Sequence, residues 1–350
     1  MYTLPLDVDF YDVETLKILS EANNRIGELK GIISQLPNPE ILLNAITLGE
    51  AKDSSEIENI ITTYGELYNE MTSQSMISTN AKEVLRYHRA ILKGYEALKE
   101  NGFISVNTIR SIQSMIEDGG GGIRKLPGTV IKNMRTNEIV FTPPQGESEI
   151  MDYMSNLERY INYDESFDAL INMAIIHYQF ESIHPFYDGN GRTGRIINVL
   201  YLVMRNKITY PVLYLSRYII RNKEMYYALL KQSNEEKQAI RSFVQYMLKG
   251  IIETADFTIQ FIQEISSSIE KTSTRMKEKL PKIYSKELVE YLYRYFYTKN
   301  EYYRNEFNVT RQTASVSLKL LENNGFLKSE KIGKEIIYKN VELFKLIERW

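Results

Sequence analysis

The sequence contains no cysteine, which excludes disulfide bonds and thiolate metal sites. Its net charge is only −2 over 350 residues, so no overall electrostatic field would attract nucleic acid. No apolar run approaches the roughly 18 residues that a membrane-spanning helix needs. The first residues also lack the basic and apolar regions of a secretory signal. These absences predict a cytoplasmic protein that has no membrane partner.

The overall composition is that of a globular protein, with 43% hydrophobic and 25% charged residues. The length allows about two or three domains, each with a core of its own. Charge is distributed unevenly: residues 281–350 carry 13 Lys and Arg against 9 Asp and Glu, a surplus of +4 that leaves −6 for the rest. The C-terminal part is therefore a candidate for contact with DNA.

The densest cluster of chemically active side chains begins at His184 and ends at Arg195, and it reads His-Pro-Phe-Tyr-Asp-Gly-Asn-Gly-Arg-Thr-Gly-Arg. An apolar run, residues 196–204, follows directly. A glycine-containing segment before an apolar run predicts a loop that leads into the first turn of a buried helix.

The middle of this cluster has the features of an anion site. Gly189 and Gly191, on either side of Asn190, can adopt positive φ, so successive backbone N–H groups can converge on one anion. The N-terminus of the following helix adds unpaired N–H groups and a partial positive charge. Arg192 and Arg195 stand one helical turn apart, so both guanidinium groups can fork onto phosphate oxygens. The pattern predicts a phosphate-binding site.

Two further side chains add chemistry to this site. Asp188 offers a hard oxygen ligand for Mg²⁺, which proteins usually hold through one or two carboxylates and the substrate phosphates. His184 is a candidate general base near neutral pH. The residues alone indicate nucleotide phosphates, a metal ion and a base that activates a nucleophile. The structural alternative is a glycine-rich loop that only caps a core helix.

The stretch resembles the signature of the Fic family (filamentation induced by cyclic AMP), H-P-F-x-[D/E]-G-N-G-R-x-x-R, and every fixed position from His184 to Arg195 matches. The resemblance implies an all-α fold with a Fic-type helical core. It also implies transfer of AMP from ATP to a Ser, Thr or Tyr hydroxyl of a protein, with Asp188 as the Mg²⁺ ligand. In the same way it assigns Asn190 to the α-phosphate, Arg192 to the β-phosphate and Arg195 to the γ-phosphate.

The resemblance leaves the reaction and the partners open. The same fold could use another nucleotide, or it could remove AMP from a protein by hydrolysis. Alternatively, the whole chain could be a DNA-binding regulator whose Fic half only senses nucleotides. The expected partner is a protein with an accessible hydroxyl, and modification of the chain itself and a homodimer are further expectations.

A serine-rich acidic segment in the N-terminal part allows two interpretations. Ser55 and Glu58 have the spacing of a capping box, which would start a helix. Ser54, Glu58 and Asn59 also fit the motif [S/T]-x-x-x-E-[G/N], which marks an inhibitory helix in the Fic family. At an N-terminal position this motif marks the class II members, which are inhibited in cis. On that interpretation the Glu58 carboxylate pairs with Arg195 and takes the place of the γ-phosphate.

One hairpin is predicted ahead of the signature. Two β-prone runs within residues 129–142 flank a polar turn at residues 135–138, and Pro143 ends the second run. In the Fic resemblance this hairpin is the flap beside the active site, where a free strand edge can hold an extended target segment. The predicted flap residues are Val130, Ile131, Val140 and Phe141. A plain surface hairpin is the alternative.

The last part of the chain has a different pattern, with three helices and then two strands: helices 288–296, 301–307 and 311–323, and strands within 326–338 joined by a turn at Lys334. The pattern resembles a winged helix-turn-helix. Its third helix would place Arg311, Gln312 and Lys319 toward DNA, whereas a protein-contact role is the alternative.

These patterns divide the chain into four parts. An N-terminal helical region with the inhibitory motif (1–78) precedes the Fic catalytic core (79–255). A connector helix (256–280) then leads to the winged helix-turn-helix domain (281–350).

Overall fold

The chain is mainly helical. The computed structural model describes residues 1–36, 38–72, 78–119, 122–132, 139–332 and 335–349. Within these ranges the helices are accompanied by two small antiparallel sheets, which confirms the predicted fold class. No helix in these ranges combines the length and the apolarity that crossing a membrane would require.

The N-terminal region consists of helices packed onto the rest of the chain: α1 (Val13–Ser34), α2 (Glu40–Ile57) and α3 (Tyr64–Thr72). The side chain of Asp12 accepts backbone hydrogen bonds from Glu14 and Thr15, and so caps the first turn of α1. Helix α2 is buried along most of its length, and its last turn therefore lies inside the protein.

The capping-box interpretation of Ser55 and Glu58 is wrong. Ser55 lies in the last turn of α2, and Glu58 is the residue that ends this helix. A reciprocal box forms instead at the start of α3, where Thr63 Oγ1 accepts from the Glu66 N–H at 3.1 Å and Glu66 Oε2 accepts from the Thr63 N–H at 2.8 Å. Helix α2 continues through Ser55 to Ile57, because buried apolar residues such as Ile57 pack its last turn against the rest of the protein.

The central part of the chain contains the helices α4 (Thr79–Asn101), α5 (Val106–Ile116), α6 (Glu147–Tyr163), α7 (Ala169–Ile183), α8 (Asn190–Met204), α9 (Ser216–Arg221) and α10 (Lys223–Glu235). Helices α7 and α8 pack against each other and are buried on nearly all sides. Helix α8 is buried along most of its length, as the apolar run after the signature predicted.

The predicted connector is part of a longer helix. After a 3₁₀ turn (Lys237–Ala239), α11 runs without interruption from Ile240 to Lys279 and packs along α1 and α7. The predicted boundary between residues 255 and 256 thus falls inside one continuous helix. Its apolar stripe continues through Ile259, Ile262 and Ile265, so burial persists where the sequence becomes more polar.

The predicted hairpin ahead of the signature is present as β1 (Ile131–Lys132) and β2 (Ile139–Phe141), which pair antiparallel with Ile131 opposite Phe141. Val140 lies within β2, and Val130 immediately precedes β1. The predicted turn at residues 135–138 lies outside the described residues.

The C-terminal unit contains α12 (Lys286–Arg294), β3 (Tyr297–Lys299), α13 (Asn300–Phe307), α14 (Arg311–Asn323), β4 (Leu327–Ile332), β5 (Glu335–Asn340) and α15 (Val341–Arg349). The strands form an antiparallel sheet in the order β3-β5-β4. The sequence analysis missed β3, because Tyr297–Lys299 is too short to alternate clearly, and it missed α15. The predicted turn residue Lys334 lies outside the described residues.

Candidate active site

The connection between α7 and α8 forms the candidate site. Helix α7 ends at Ile183, and the chain turns at once because His184 has a left-handed backbone conformation (φ 48°, ψ 58°). Gly189 makes a second left-handed turn (φ 76°) and starts α8. The Asn190 side chain closes the loop, since its Oδ1 accepts from the Phe186 N–H and its Nδ2 donates to the Phe186 carbonyl, both at 2.9 Å. The loop is therefore held from inside.

The resemblance assigns Asn190 to the α-phosphate, but in this structure its side chain binds the backbone of Phe186. Its side-chain amide is buried against Phe186, so the loop offers an anion the backbone N–H groups of the first turn of α8. The N–H of Gly189 already donates to Asp188 Oδ1 at 2.6 Å, and Gln113 Nε2 donates to the Asp188 carbonyl at 3.1 Å. The backbone N–H groups that can face an anion thus begin at Asn190, the first residue of α8.

His184 is half-buried at the edge of this loop. Burial lowers the pKa of its imidazole to about 4, and the positive charge of Arg124 acts in the same direction. A backbone hydrogen bond to Glu181 and the charges of Glu58 and Asp188 oppose this change. The ring is therefore neutral at physiological pH and can accept a proton, as a general base must.

Arg195 lies in α8 and is only 4% exposed. Its Nε donates to Ser54 Oγ at 2.8 Å, and its Nη2 donates to the Ser54 carbonyl and to Glu58 Oε1, both at 2.9 Å. Burial acts to lower the pKa of Arg195, but Glu58 and other nearby groups raise it by more, so the guanidinium stays charged. Asn59 follows with a left-handed φ of 63° and is exposed. The structure thus brings two of the three predicted motif residues onto Arg195.

The carboxylate of Glu58 lies directly over Gly191. A Cβ at Gly191 would be 2.5 Å from Glu58 Oε1 and 2.9 Å from Arg195 Nη1, so a side chain there would displace one of these groups. A helix N-terminus favours an anion through its unpaired N–H groups and its partial positive charge. Glu58 therefore occupies a position that suits a phosphate.

Arg192 is also buried, and acidic side chains already hold it. Its Nη2 donates to Glu117 Oε1 at 2.7 Å, and its Nη1 lies 3.7 Å from Glu83 Oε2. Asp188 Oδ1 lies 3.8 Å from Nη2. Glu117, at the end of α5, therefore already occupies part of the Arg192 guanidinium. A phosphate could contact Arg192 only through its remaining N–H groups or by displacing Glu117.

Asp188 is suited to a metal ion that arrives with a substrate. Its side chain is 77% exposed, and one of its oxygens binds the Gly189 N–H. Across the described ranges, no group of three or more His, Cys, Asp or Glu side chains is arranged to hold a metal ion. A single exposed carboxylate fits Mg²⁺, because nucleotide phosphates and water complete its coordination.

The hairpin of β1 and β2 follows a segment that contacts this loop. Ile139 on β2 is 55% exposed, and β2 packs against α10. The Tyr187 hydroxyl, from the signature itself, accepts a hydrogen bond from the Lys125 N–H at 3.0 Å. The signature loop is thereby tied to the segment that leads into β1.

Sequence reasoning missed two charged residues next to the site. Glu181 lies on α7, where its Oε1 is buried without a hydrogen-bond partner among the described residues. Burial raises the pKa of Glu181 to about 7, while Arg195 acts to lower it and Glu58 to raise it. Arg124 is fully buried and donates from Nε to the His184 carbonyl at 2.7 Å. For Glu181, the available signal was a carboxylate in a helix that is otherwise uncharged and mainly apolar.

Three family models match the chain. The one described as Fic/DOC family N-terminal matches residues 16–96, and the one described as Fic/DOC family matches residues 103–202. The chain belongs to the Fic/DOC family. A third model, the C-terminal domain of protein adenylyltransferase SoFic-like, matches residues 269–343. Glu58 falls in the Fic N-terminal match and Arg195 in the Fic match, so their contact joins two modules of the family.

Curated relatives carry the name protein adenylyltransferase Fic. The protein from Drosophila willistoni is 30% identical over 150 residues, which covers 41% of this chain and 28% of the relative. The protein from Drosophila ananassae is 27% identical over 240 residues, which covers 65% of this chain and 46% of the relative. The chain therefore spans less than half the length of these curated relatives.

Solved Fic structures share the fold. A Fic family protein from Desulfovibrio desulfuricans G20 superposes with a TM-score of 0.61 at 18% identity, and the match covers 97% of this chain and 98% of that one. Fic-1 (residues 134–508) from C. elegans superposes with a TM-score of 0.55 at 19% identity, covering 72% and 74% of the two chains. The first match shows that the helical fold extends over nearly the whole chain.

Proposed function

We propose that this Fic protein is a protein adenylyltransferase that transfers AMP from ATP to a Ser, Thr or Tyr hydroxyl, and that Glu58 inhibits it in cis. The observation that carries the proposal is the Glu58 carboxylate seated over Gly191 and bound to Arg195, beside a neutral His184. An acidic side chain there is explained if the same place receives a phosphate in the active state.

Each of the four parts of the chain has its own role in the proposed function. Residues 1–78 supply the inhibitory group, residues 79–255 supply the catalytic core, residues 256–280 connect, and residues 281–350 form a separate contact module. The connector is the distal part of α11, so it is a rigid extension of the core.

Binding of ATP requires Glu58 to leave Arg195. The freed guanidinium then holds the γ-phosphate, and the N–H groups at the first turn of α8 bind the phosphates nearer the ribose. Arg192 contacts the β-phosphate while it remains partly held by Glu117. Asp188 would hold Mg²⁺, which would neutralise part of the charge on the phosphates.

The transfer step uses His184 as the general base. The target hydroxyl gives its proton to the imidazole, and its oxygen forms a new bond to the α-phosphorus. The bond between the α-phosphorus and the bridging oxygen breaks, and pyrophosphate leaves with that electron pair. Arg192 and Arg195 stabilise the charge that develops on the departing group.

The flap positions the target. A segment of the target in extended conformation pairs with the exposed edge formed by Val130, Ile131, Val140 and Phe141. This pairing would present a hydroxyl to His184 without requiring a particular sequence around it, because backbone groups make the hydrogen bonds.

The decisive experiment compares the wild type with Glu58→Gly, using α-labelled ATP, Mg²⁺ and cell lysate. We expect the variant to label protein several-fold faster, since Arg195 is no longer occupied. Omission of the lysate tests modification of the chain itself. Equal labelling by the two proteins would remove the inhibitory assignment.

The matched control is His184→Ala in the Glu58→Gly background. General-base catalysis typically contributes about 10²–10⁴-fold, so labelling should fall by that factor. Mass spectrometry of the product separates the remaining reactions of the same fold. An AMP adduct supports the proposal, a different nucleotide adduct changes the donor, and loss of AMP from a pre-modified protein indicates hydrolytic removal.

A second candidate function is DNA binding by the C-terminal unit, which we propose is a winged helix module. Helices α13 and α14 and the β4–β5 hairpin have the order that such a module requires. The predicted contact residues are all exposed on α14, as a recognition helix needs: Arg311, Gln312 and Lys319.

DNA binding is tested by retention of genomic fragments on filters at physiological salt. We expect Arg311→Ala with Lys319→Ala to abolish retention, and Lys345→Ala on α15 to leave it unchanged. Retention by the wild type no greater than that of a nonspecific control protein would reject the function. A cytoplasmic location and a homodimer complete the proposal, and sedimentation tests the dimer.

A further inference from the structure

Arg124 lies at the junction of the catalytic loop, the end of α7 and the base of the flap. Its Nε donates to the His184 carbonyl at 2.7 Å, and its Nη2 donates to the carbonyls of Ile183 (3.3 Å) and Pro144. The backbone N–H of Arg124 also donates to the Pro185 carbonyl at 2.9 Å. One fully buried residue thus binds three consecutive residues of the loop and one residue beyond the flap.

The loop carbonyls that Arg124 binds lie at and just beyond the C-terminus of α7, where the helix itself supplies no donor. The last carbonyls of α7 have no partner within the helix, and the His184 N–H at the left-handed turn donates to the Phe180 carbonyl and not to that of Ile183. A cation at a helix C-terminus also complements the helix dipole. A left-handed conformation is costly for a residue other than glycine and persists only where surrounding contacts enforce it.

The guanidinium has no carboxylate within ion-pair distance among the residues that the structure describes. Burial lowers the pKa of Arg124, although the group remains a strong base. Its charge is therefore directed at the loop and is not cancelled by a direct acidic neighbour. The pair of β-bridge residues Ile123 and Phe186 keeps the segment aligned with the loop.

We propose that Arg124 is a positioning residue for His184. By binding the carbonyls on both sides of the peptide that leads out of α7, it holds the imidazole in the orientation that receives the target hydroxyl. Its positive charge, after burial, also acts against protonation of the ring. This inference rests on the proposed function only for its activity readout.

Other charged groups also face the imidazole and must be considered. Glu58, from α2, and Asp188, from the signature loop, favour the protonated ring, as does the backbone of Glu181 on α7. Burial and Arg124 oppose them. Removal of the Arg124 charge should therefore raise the pKa of His184.

The test uses three substitutions in the Glu58→Gly full-length protein. Arg124→Gln removes the charge and most of the hydrogen bonds. Arg124→Lys retains the charge but cannot reach the same carbonyls together. The control is Arg205→Gln, because Arg205 Nη2 caps the end of α6 through the carbonyls of Ile161 and Asp164, both at 3.0 Å.

The activity readout separates kcat from KM. We expect both Arg124 variants to lose roughly 10- to 100-fold in kcat, the scale on which misplaced catalytic groups act, with the KM for ATP nearly unchanged. Arg205→Gln should change stability but neither constant. Equal losses in the Arg124 variants and the control would show a merely structural role and overturn the proposal.

The second readout is an NMR titration of the imidazole rings, which needs no enzymatic activity. The chain contains only three histidines, and His177 and His88 can be assigned by substitution. We expect the His184 ring to titrate at clearly higher pH in Arg124→Gln than in Arg124→Lys or Arg205→Gln. Unchanged titration in Arg124→Gln would overturn the claim that the Arg124 charge acts against protonation of His184.

If Arg124→Gln fails to fold, Arg124→Lys still tests the positioning of His184 through kcat. If Glu58→Gly labels no protein at all, the proposed function fails, and the titration still tests this inference.

Discussion

At the scale of single residues, the space above Gly191 decides which anion Arg195 can hold. The Glu58 carboxylate and a phosphate both require the same guanidinium and the same helix N-terminus. They cannot be present together, since Glu58 Oε1 already lies 2.5 Å from the place where a Cβ of Gly191 would stand. On the proposed function, inhibition by Glu58 would therefore be a competition for one place.

The neutral state of His184 predicts the acid limb of the pH profile. A base whose pKa lies at about 4 in the folded protein is active above that pH and becomes inactive as pH falls through it. The Glu58→Gly protein should therefore keep most of its kcat down to about pH 5, well below the ordinary histidine pKa of about 6.5. The measurement is kcat at saturating ATP between about pH 4 and 8. A midpoint of the limb near the ordinary value would contradict a half-buried ring that is neutral at physiological pH.

At the scale of elements, polar contacts along one face hold α2 in place. Glu50 accepts hydrogen bonds from Tyr87 OH at 3.1 Å and from Ser216 Oγ, and burial raises the pKa of Glu50 to about 8. One turn later, Arg217 Nε pairs with Asp53 Oδ2 at 2.9 Å. Helices α4 and α9 therefore fix the helix that presents Glu58.

The last turn of α2 is held by a lysine of α10. Lys223 Nζ donates to the Ile57 carbonyl at 2.6 Å, immediately before Glu58. A hydrogen bond of this kind contributes about 1 kcal/mol, so Lys223→Ala should release Glu58 and raise labelling by roughly fivefold. In the Glu58→Gly background the same substitution should add nothing, because the inhibitory group is already absent.

The control for this experiment lies on the same helix. Lys231, whose Nζ is 4.0 Å from Glu235, is half-exposed, and Lys231→Ala should leave labelling unchanged. An equal increase for Lys223→Ala with and without Glu58 would show that the lysine acts on the catalytic core and not through α2.

At the scale of the whole molecule, the C-terminal unit packs onto α2, which ends at Glu58, and onto α3. The ring of Tyr68 on α3 lies 6.0 Å from that of Tyr297 and 5.7 Å from that of Phe344, both in edge-to-face geometry. Lys339 stands 5.1 Å above the Tyr68 ring, and Asn44 of α2 donates to the Arg294 carbonyl at 3.0 Å. The last module is thereby attached to both α2 and α3.

This attachment predicts a contrast between two substitutions of one residue. Tyr68 is 3% exposed, so Tyr68→Ala should lower the free energy of unfolding by about 3 kcal/mol, as for other buried aromatic residues. Its hydroxyl is buried and has no hydrogen-bond partner among the described residues, so Tyr68→Phe should be neutral or slightly stabilising. Denaturant unfolding measures both. A loss for Tyr68→Phe as large as that for Tyr68→Ala would show that the hydroxyl, and not the ring, makes the attachment.

The sequence by itself determined the elements whose cause is local. The glycines and arginines from His184 to Arg195 lie in one short segment. The loop and the start of α8 therefore follow from backbone freedom and helical spacing alone. The helix α14 could be predicted for the same reason, since a capping residue, an apolar stripe and a following glycine bound it. Motif matching, and not spacing, suggested that Glu58 meets Arg195.

Only the tertiary structure decided which groups are buried and which distant residues meet. No periodicity shows that Arg124 binds the His184 carbonyl, or that Glu181 Oε1 is buried without a hydrogen-bond partner among the described residues. The continuity of α11 was hidden as well, because burial of its sparse apolar residues depends on what packs against them. Local spacing fixes conformation over a few turns, whereas proximity, desolvation and charge pairing arise when separate segments close around a common core.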